Sequence, residues 1–194
     1  FLLPFNIKQL SYLFAFLGLF LLIQIHMTLV LVGLFYICLL VMYSHPRIHL
    51  KGSLSGYISA ASVFLLASWV MPSLSGRVFN LLDLAFGLFC LFQVTYILCQ
   101  KDSTDLHDKT NLYLRRGWHS AIISTFFMAL FASAAFLALC FFHPLLLGVW
   151  LLNTMTKATN LFLIWQQVIT RALRSKLILL EFLTPYLYFG GLLL

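Results

Sequence analysis

The run from Leu10 to Tyr43 contains no charged residue and is broken chiefly by Gln24, His26 and Thr28. A single helix over these 34 positions, at about 1.5 Å per residue, would overshoot a bilayer core of about 30 Å by about 20 Å. A tight hairpin of two helices near Gln24–Thr28 is therefore expected. The rest of the chain repeats the theme. Of its 194 residues 62% are apolar and only 9% charged, with a mean hydropathy of +1.01. Soluble domains average roughly 45–50% apolar and 25% charged, so a chain of this size could not hide so much apolar surface from water.

Hydrocarbon leaves no backbone group unpaired, so each span must be a helix of about 20 apolar residues. Seven such segments are expected: 7–25, 27–43, 54–71, 81–99, 118–142, 145–165 and 177–194. They make one domain, residues 1–194, an all-α polytopic membrane bundle. The chain opens at Phe1 and shows no charged segment followed by a cleavage site, so no signal peptide is evident, and the chain is expected to be incomplete at its N-terminus.

Charge tests the division independently. With the N-terminus inside, the inward segments hold Lys8, Arg47, Lys51, Lys101, Lys109, Arg115, Arg116, Arg171, Arg174 and Lys176, ten of the twelve basic residues. The outward turns carry only Arg77, and Lys157 falls within a span. This asymmetry places the N-terminus in the cytoplasm. The expected location is a bacterial or organellar inner membrane. The outward turns are short, so that end is expected to be closed and polar chemistry to face inward. A formal charge of +7 suits an anionic membrane face or head group; twelve basic residues are too few to coat nucleic acid. The four cysteines form no CxxC and read as small buried hydrophobes.

Three stretches bear on chemistry. Asp102, Asp105 and Asp108 follow one another at three-residue spacing between Lys101 and Lys109, within one 120° sector if helical. Grouped carboxylates repel unless a cation sits among them, and Mg²⁺ is the natural partner. The alternative is a solvated loop in which the acids pair with Lys101, Lys109, Arg115 and Arg116. On the same face, Tyr43-Ser-His-Pro-Arg47-Ile-His-Leu-Lys51 joins a proline turn to two cations and a phenol, a set able to hold a diphosphate; taken alone it is an ordinary basic loop. Finally, Asn153, Lys157 and Asn160 form one polar stripe inside a span, and Gln93, Tyr96 and Gln100 another. Such groups avoid lipid, so both stripes are expected to face the bundle interior, lining a cavity or bonding helix to helix.

At these residues the sequence resembles the UbiA superfamily of intramembrane prenyltransferases. Tyr43 to Lys51 is similar to a YS-x-P-x-x-x-L-K loop of that superfamily, and Lys101-Asp102-x-x-Asp105-x-x-Asp108 to its second aspartate motif, KD-x-x-D-x-x-x-D. Seven helices follow the first aspartate motif in such proteins, so the resemblance covers nearly the whole chain. The first motif, N-D-x-x-D-x-x-x-D, is absent, the last two acids are one residue closer than usual, and Arg115-Arg116-Gly117 stands where Gly followed by Thr-Leu is common. The resemblance implies Mg²⁺-dependent transfer of an isoprenoid chain from a prenyl diphosphate to a hydrophobic or aromatic acceptor. Asp102, Asp105 and Asp108 would be catalytic and would hold the metal. Tyr43, Arg47, Lys51, Lys101 and Lys109 would bind the diphosphate, and Asn153 and Lys157 would border the substrate cavity.

The main rival is a non-catalytic membrane subunit or scaffold, favoured by the missing first motif. Gly52-Ser53-Leu54-Ser55-Gly56 also resembles the GxSG of intramembrane serine proteases, although small residues there more simply permit close helix packing. The six histidines fall in loops or at span ends, which does not suit paired haem ligation at depth. Glu181, inside an apolar stretch, is expected to pair with Lys176 or Arg174.

Overall fold

The computed structural model describes residues 16–18, 20, 23, 27–44, 52–104, 111–170, 172–181 and 183. These residues form an all-α structure: α1 Met27–Ser44, α2 Leu54–Leu74, α3 Leu81–Asp102, the short α4 Leu112–Arg116, α5 Trp118–Phe142, a 3₁₀ turn Pro144–Leu146, α6 Leu147–Trp165, and α7 over 172–181. Among the described residues three helices are long and apolar enough to cross a membrane: α2, α3 and α5. The protein is thus a multi-pass integral membrane protein; where seven spans are expected, three are found among the described residues.

Helix α1 has 18 residues and no charge, and its described apolar stretch runs over Leu29–Leu39. The helix expected over 145–165 is present as α6 and has 19 residues; Asn153, Thr154, Thr156, Lys157, Thr159 and Asn160 dilute its apolar character. Most of 7–25 and of 177–194 lies outside the described residues.

Helix α3 is the centre of the bundle, packed on α2 and on α5, while α1 packs on α2 and α6 on α5. Neighbours run antiparallel. Phe89 meets Phe136 with ring centroids 4.8 Å apart, and Phe92 meets Phe131 at 5.2 Å, which fixes the α3–α5 register. Close approach of α3 to α2 depends on Gly87: a Cβ there would lie 2.0 Å from Ser68 Oγ. Small residues serve this purpose in membranes, where helices associate by packing more than by the hydrophobic effect. The outward faces stay apolar, with Phe126, Leu130, Leu151 and Met155 exposed, as lipid contact allows.

Local signals begin and end the helices. Ser53 Oγ accepts from the Gly56 amide at 3.0 Å and so caps α2; Ser53 and Ser55 are part of a helix start. Asn80 and Asp83 form a reciprocal capping box on α3, and Arg77 donates to Asp83 at 2.5 Å. At the other end of α3 the Arg174 guanidinium donates to the Lys101 carbonyl at 2.6 Å and to Thr104 Oγ1, placing a cation where the helix end presents its carbonyl groups. Gly117, at φ +78°, lets α4 stop and α5 start without an intervening loop.

Antiparallel packing gathers the starts of α2, α5 and α7 and the ends of α3 and α6 at one end of the bundle. Lys101, Arg115, Arg116, Arg174 and Lys176 lie there. The opposite end carries Arg77, bound to Asp83.

Candidate functional site

Of the three motif acids, the structure describes Asp102; Asp105 and Asp108 lie outside the described residues, as do Arg47, Lys51 and Lys109. Tyr43 belongs to the last turn of α1, but its side chain also lies outside the described set. Lys101 is exposed at the end of α3.

Asp102 ties three elements together. Its Oδ2 accepts from the Tyr57 hydroxyl on α2 and from the Leu112 amide at 2.7 Å. Its backbone carbonyl accepts from Asn111 Nδ2 at 2.5 Å. Asn111 in turn caps α4, its Oδ1 accepting from the Tyr113 amide at 2.7 Å. The carboxylate therefore serves the opening turn of α4 as well as the α2–α3 contact. Tyr57, 2% exposed, carries no motif in the sequence that marks it as this partner.

Nearby, Tyr113 is buried against Trp118, with ring centroids 4.8 Å apart, and its hydroxyl shares a 3.1 Å hydrogen bond with Thr125 Oγ1. Burial pushes the Tyr113 phenol above its ordinary value, and the Asp102 charge adds a smaller push in the same direction.

No group of three or more His, Cys, Asp or Glu side chains able to hold a metal occurs among the described residues. One carboxylate with an oxygen already committed to a phenol and an amide does not by itself make a magnesium site. Whatever metal site the run forms depends on Asp105 and Asp108.

Both polar stripes are buried: Asn153, Lys157 and Asn160 on α6, and Gln93, Tyr96 and Gln100 on α3, are each 3% exposed or less. Lys157 Nζ donates to Asn153 Oδ1 at 2.5 Å and sits 5.8 Å from the Phe89 ring centroid. Glu181 meets the stripes. Its Oε1 accepts from Asn160 Nδ2 at 2.8 Å and from the Tyr96 hydroxyl at 3.2 Å, and Lys157 is within electrostatic reach. The expected pairing of Glu181 with Lys176 or Arg174 is thereby corrected. Arg174 caps α3, whereas Glu181 turns inward to the donors on α3 and α6.

A cavity of about 710 Å³ lies along α2 and α3, within the range of roughly 300–1,000 Å³ usual for small-molecule sites. Phe64, Met71, Phe86, Phe89, Val94 and Ile97 supply apolar lining, while Gln93 and Glu181 also border it. Asn153, Lys157 and Asp102 are not among the lining residues. The cavity reaches Arg77 and Asp83, at the end of the bundle remote from Asp102, the end that the short turns led us to expect closed.

Comparison with known protein families, curated proteins and solved structures finds no match to this chain.

Proposed function

We propose that the chain is a membrane-embedded prenyltransferase, moving an isoprenoid chain from a prenyl diphosphate to a hydrophobic or aromatic acceptor. One observation carries the reading: an apolar cavity of about 710 Å³ runs along α3, the helix whose end begins the Asp102–Asp108 run. Reaction of an allylic diphosphate breaks C1–O, the electron pair leaving on the diphosphate; the acceptor then attacks C1 and loses a proton. Catalysis must neutralise the departing diphosphate and keep water from the cationic chain. The aromatic and aliphatic walls of the cavity suit the second task. For the first, Lys101 with Arg47, Lys51 and Lys109 supplies positive charge at the inward end, with Tyr43 as a hydroxyl donor.

Asp105 and Asp108, with Asp102, would hold magnesium, which would supply further charge neutralisation. In this reading the basic end of the bundle and the N-terminus face the cytoplasm. The membrane is an inner one, bacterial or organellar.

The test is equilibrium binding of geranylgeranyl diphosphate to the full chain in lipid nanodiscs, with and without Mg²⁺. Asp105→Asn and Asp108→Asn are expected to abolish Mg²⁺-dependent binding while leaving the melting temperature unchanged. Equal binding by both variants and the parent overturns the assignment. Asp102 is unsuitable as the first probe because of its ties to Tyr57 and Leu112.

Those same ties favour a second reading, a non-catalytic membrane subunit or scaffold, in which Asp102 is a structural joint. That reading requires no diphosphate binding with or without Mg²⁺.

A further inference from the structure

Gln93 is 3% exposed and Glu181 fully buried, yet both amide atoms of Gln93 and Oε2 of Glu181 lack a hydrogen-bond partner among the described residues. Both residues border the apolar cavity. Buried polar groups are ordinarily satisfied, because an unmade bond leaves the loss of hydration uncompensated. From this we infer that the cavity binds an apolar molecule bearing a hydroxyl group, with that hydroxyl recognised by Gln93 and Glu181.

The chemistry narrows to a hydroxyl in steps. Glu181 Oε1 already accepts from Tyr96 and Asn160, so the lone pairs left on Oε2 call for a donor. Gln93 offers an acceptor at Oε1 and a donor at Nε2. A hydroxyl satisfies both residues, donating to a carboxylate or amide oxygen and accepting from the amide nitrogen. A ligand carboxylate would be repelled by Glu181, and a ligand cation is disfavoured because the Lys157 ammonium, behind the cavity lining, already lies within electrostatic reach of Glu181. Water could form the same bonds, but walls of Phe64, Phe86, Phe89 and Ile97 favour a hydroxyl carried on an apolar body.

The inference deepens the proposed function in using the same cavity, and it requires neither diphosphate nor metal. Two sources share the chemistry, an aliphatic isoprenoid alcohol and an alkyl phenol. The experiment therefore titrates the full chain in nanodiscs with geranylgeraniol against geranylgeranyl acetate, and with 4-dodecylphenol against its methyl ether. A site built around a hydroxyl rejects an analogue lacking its proton, here by about tenfold or more. Discrimination in either pair supports the inference and identifies the source; equal affinities in both pairs overturn it.

Gln93→Leu supplies the second readout. Removing an unpaired buried amide is expected to leave the melting temperature equal or higher while the alcohol-to-acetate (or phenol-to-ether) preference collapses to about one. Gln93→Met replaces it should the leucine variant not fold. A variant that folds and keeps the full preference overturns the inference. Loss of hydroxyl discrimination is separable from failure of prenyl transfer, which is read by diphosphate binding in the Asp105 and Asp108 variants.

Discussion

The Tyr57 hydroxyl at the start of α2 and the Leu112 amide at the start of α4 converge on one oxygen, Oδ2 of Asp102. An acid that sequence reasoning assigns to a metal thus also holds three helices in register. Asp102→Ala removes the acceptor of the buried Tyr57 hydroxyl and of the Leu112 amide, at a cost of about 1–3 kcal/mol for each bond lost. The expected outcome is a lowered melting temperature in detergent, with Tyr57→Phe giving a smaller drop. A parent-like melting temperature for Asp102→Ala removes the structural role.

Gly87→Ala tests the α2–α3 contact. The added methyl would lie 2.0 Å from Ser68 Oγ and 2.9 Å from Ser68 Cβ, and rotating the hydroxyl relieves only the first. Overpacking of this kind costs about 1–3 kcal/mol. Adding Ser68→Gly to Gly87→Ala is expected to recover most of the loss, a coupling that thermal denaturation of the two single variants and the double variant measures.

The interior charges form the next test. Lys157 and Glu181 influence each other through space rather than by direct contact, and each keeps hydrogen bonds of its own, Lys157 to Asn153 and Glu181 to Asn160 and Tyr96. Lys157→Met and Glu181→Gln each leave the other buried charge less well compensated. The double variant is expected to be more stable than the sum of the single losses predicts; strict additivity would show that the two charges do not interact.

At the remote end, the Arg77–Asp83 contact is short at 2.5 Å, but the arginine side chain is 51% exposed. Exposed ion pairs contribute about 0–1 kcal/mol, whereas loss of a helix cap costs about 0.5–2 kcal/mol. Asn80→Ala is therefore expected to destabilise more than Arg77→Ala. The reverse order would make the ion pair, and not the capping box, the principal tie.

Tyr113 gives a pH dependence. Its phenol is raised above the ordinary value of 10.0 mainly by burial, so the folded protein keeps a proton that the unfolded chain releases. The corresponding stability is complete below about pH 10 and declines as pH rises beyond it. Tyr113→Phe, which also loses the Thr125 bond, is expected to be less stable at neutral pH by about 1 kcal/mol and to lose less between pH 9.5 and 11. Parallel melting curves for both proteins over that interval would refute the shift.

Composition and charge periodicity alone determined the membrane class, the helical architecture and the gathering of basic segments at one end. These depend on local quantities: an apolar run must hide its backbone in a helix, and each polar break must reach water. They also marked the Asn153 and Gln93 stripes as buried, because lipid accepts neither amides nor ammonium groups. Span number was less legible, since α6 is interrupted by the polar residues that make its inner face useful. Tertiary structure decided which groups meet: Tyr57 with Asp102 across 45 positions, Tyr96 with Glu181 across 85, and Arg174 with the end of α3 rather than with Glu181. Such pairings follow from how antiparallel helices stack, and stacking is set by packing over whole helix faces, as at Gly87 and Ser68. No short window of residues contains that information.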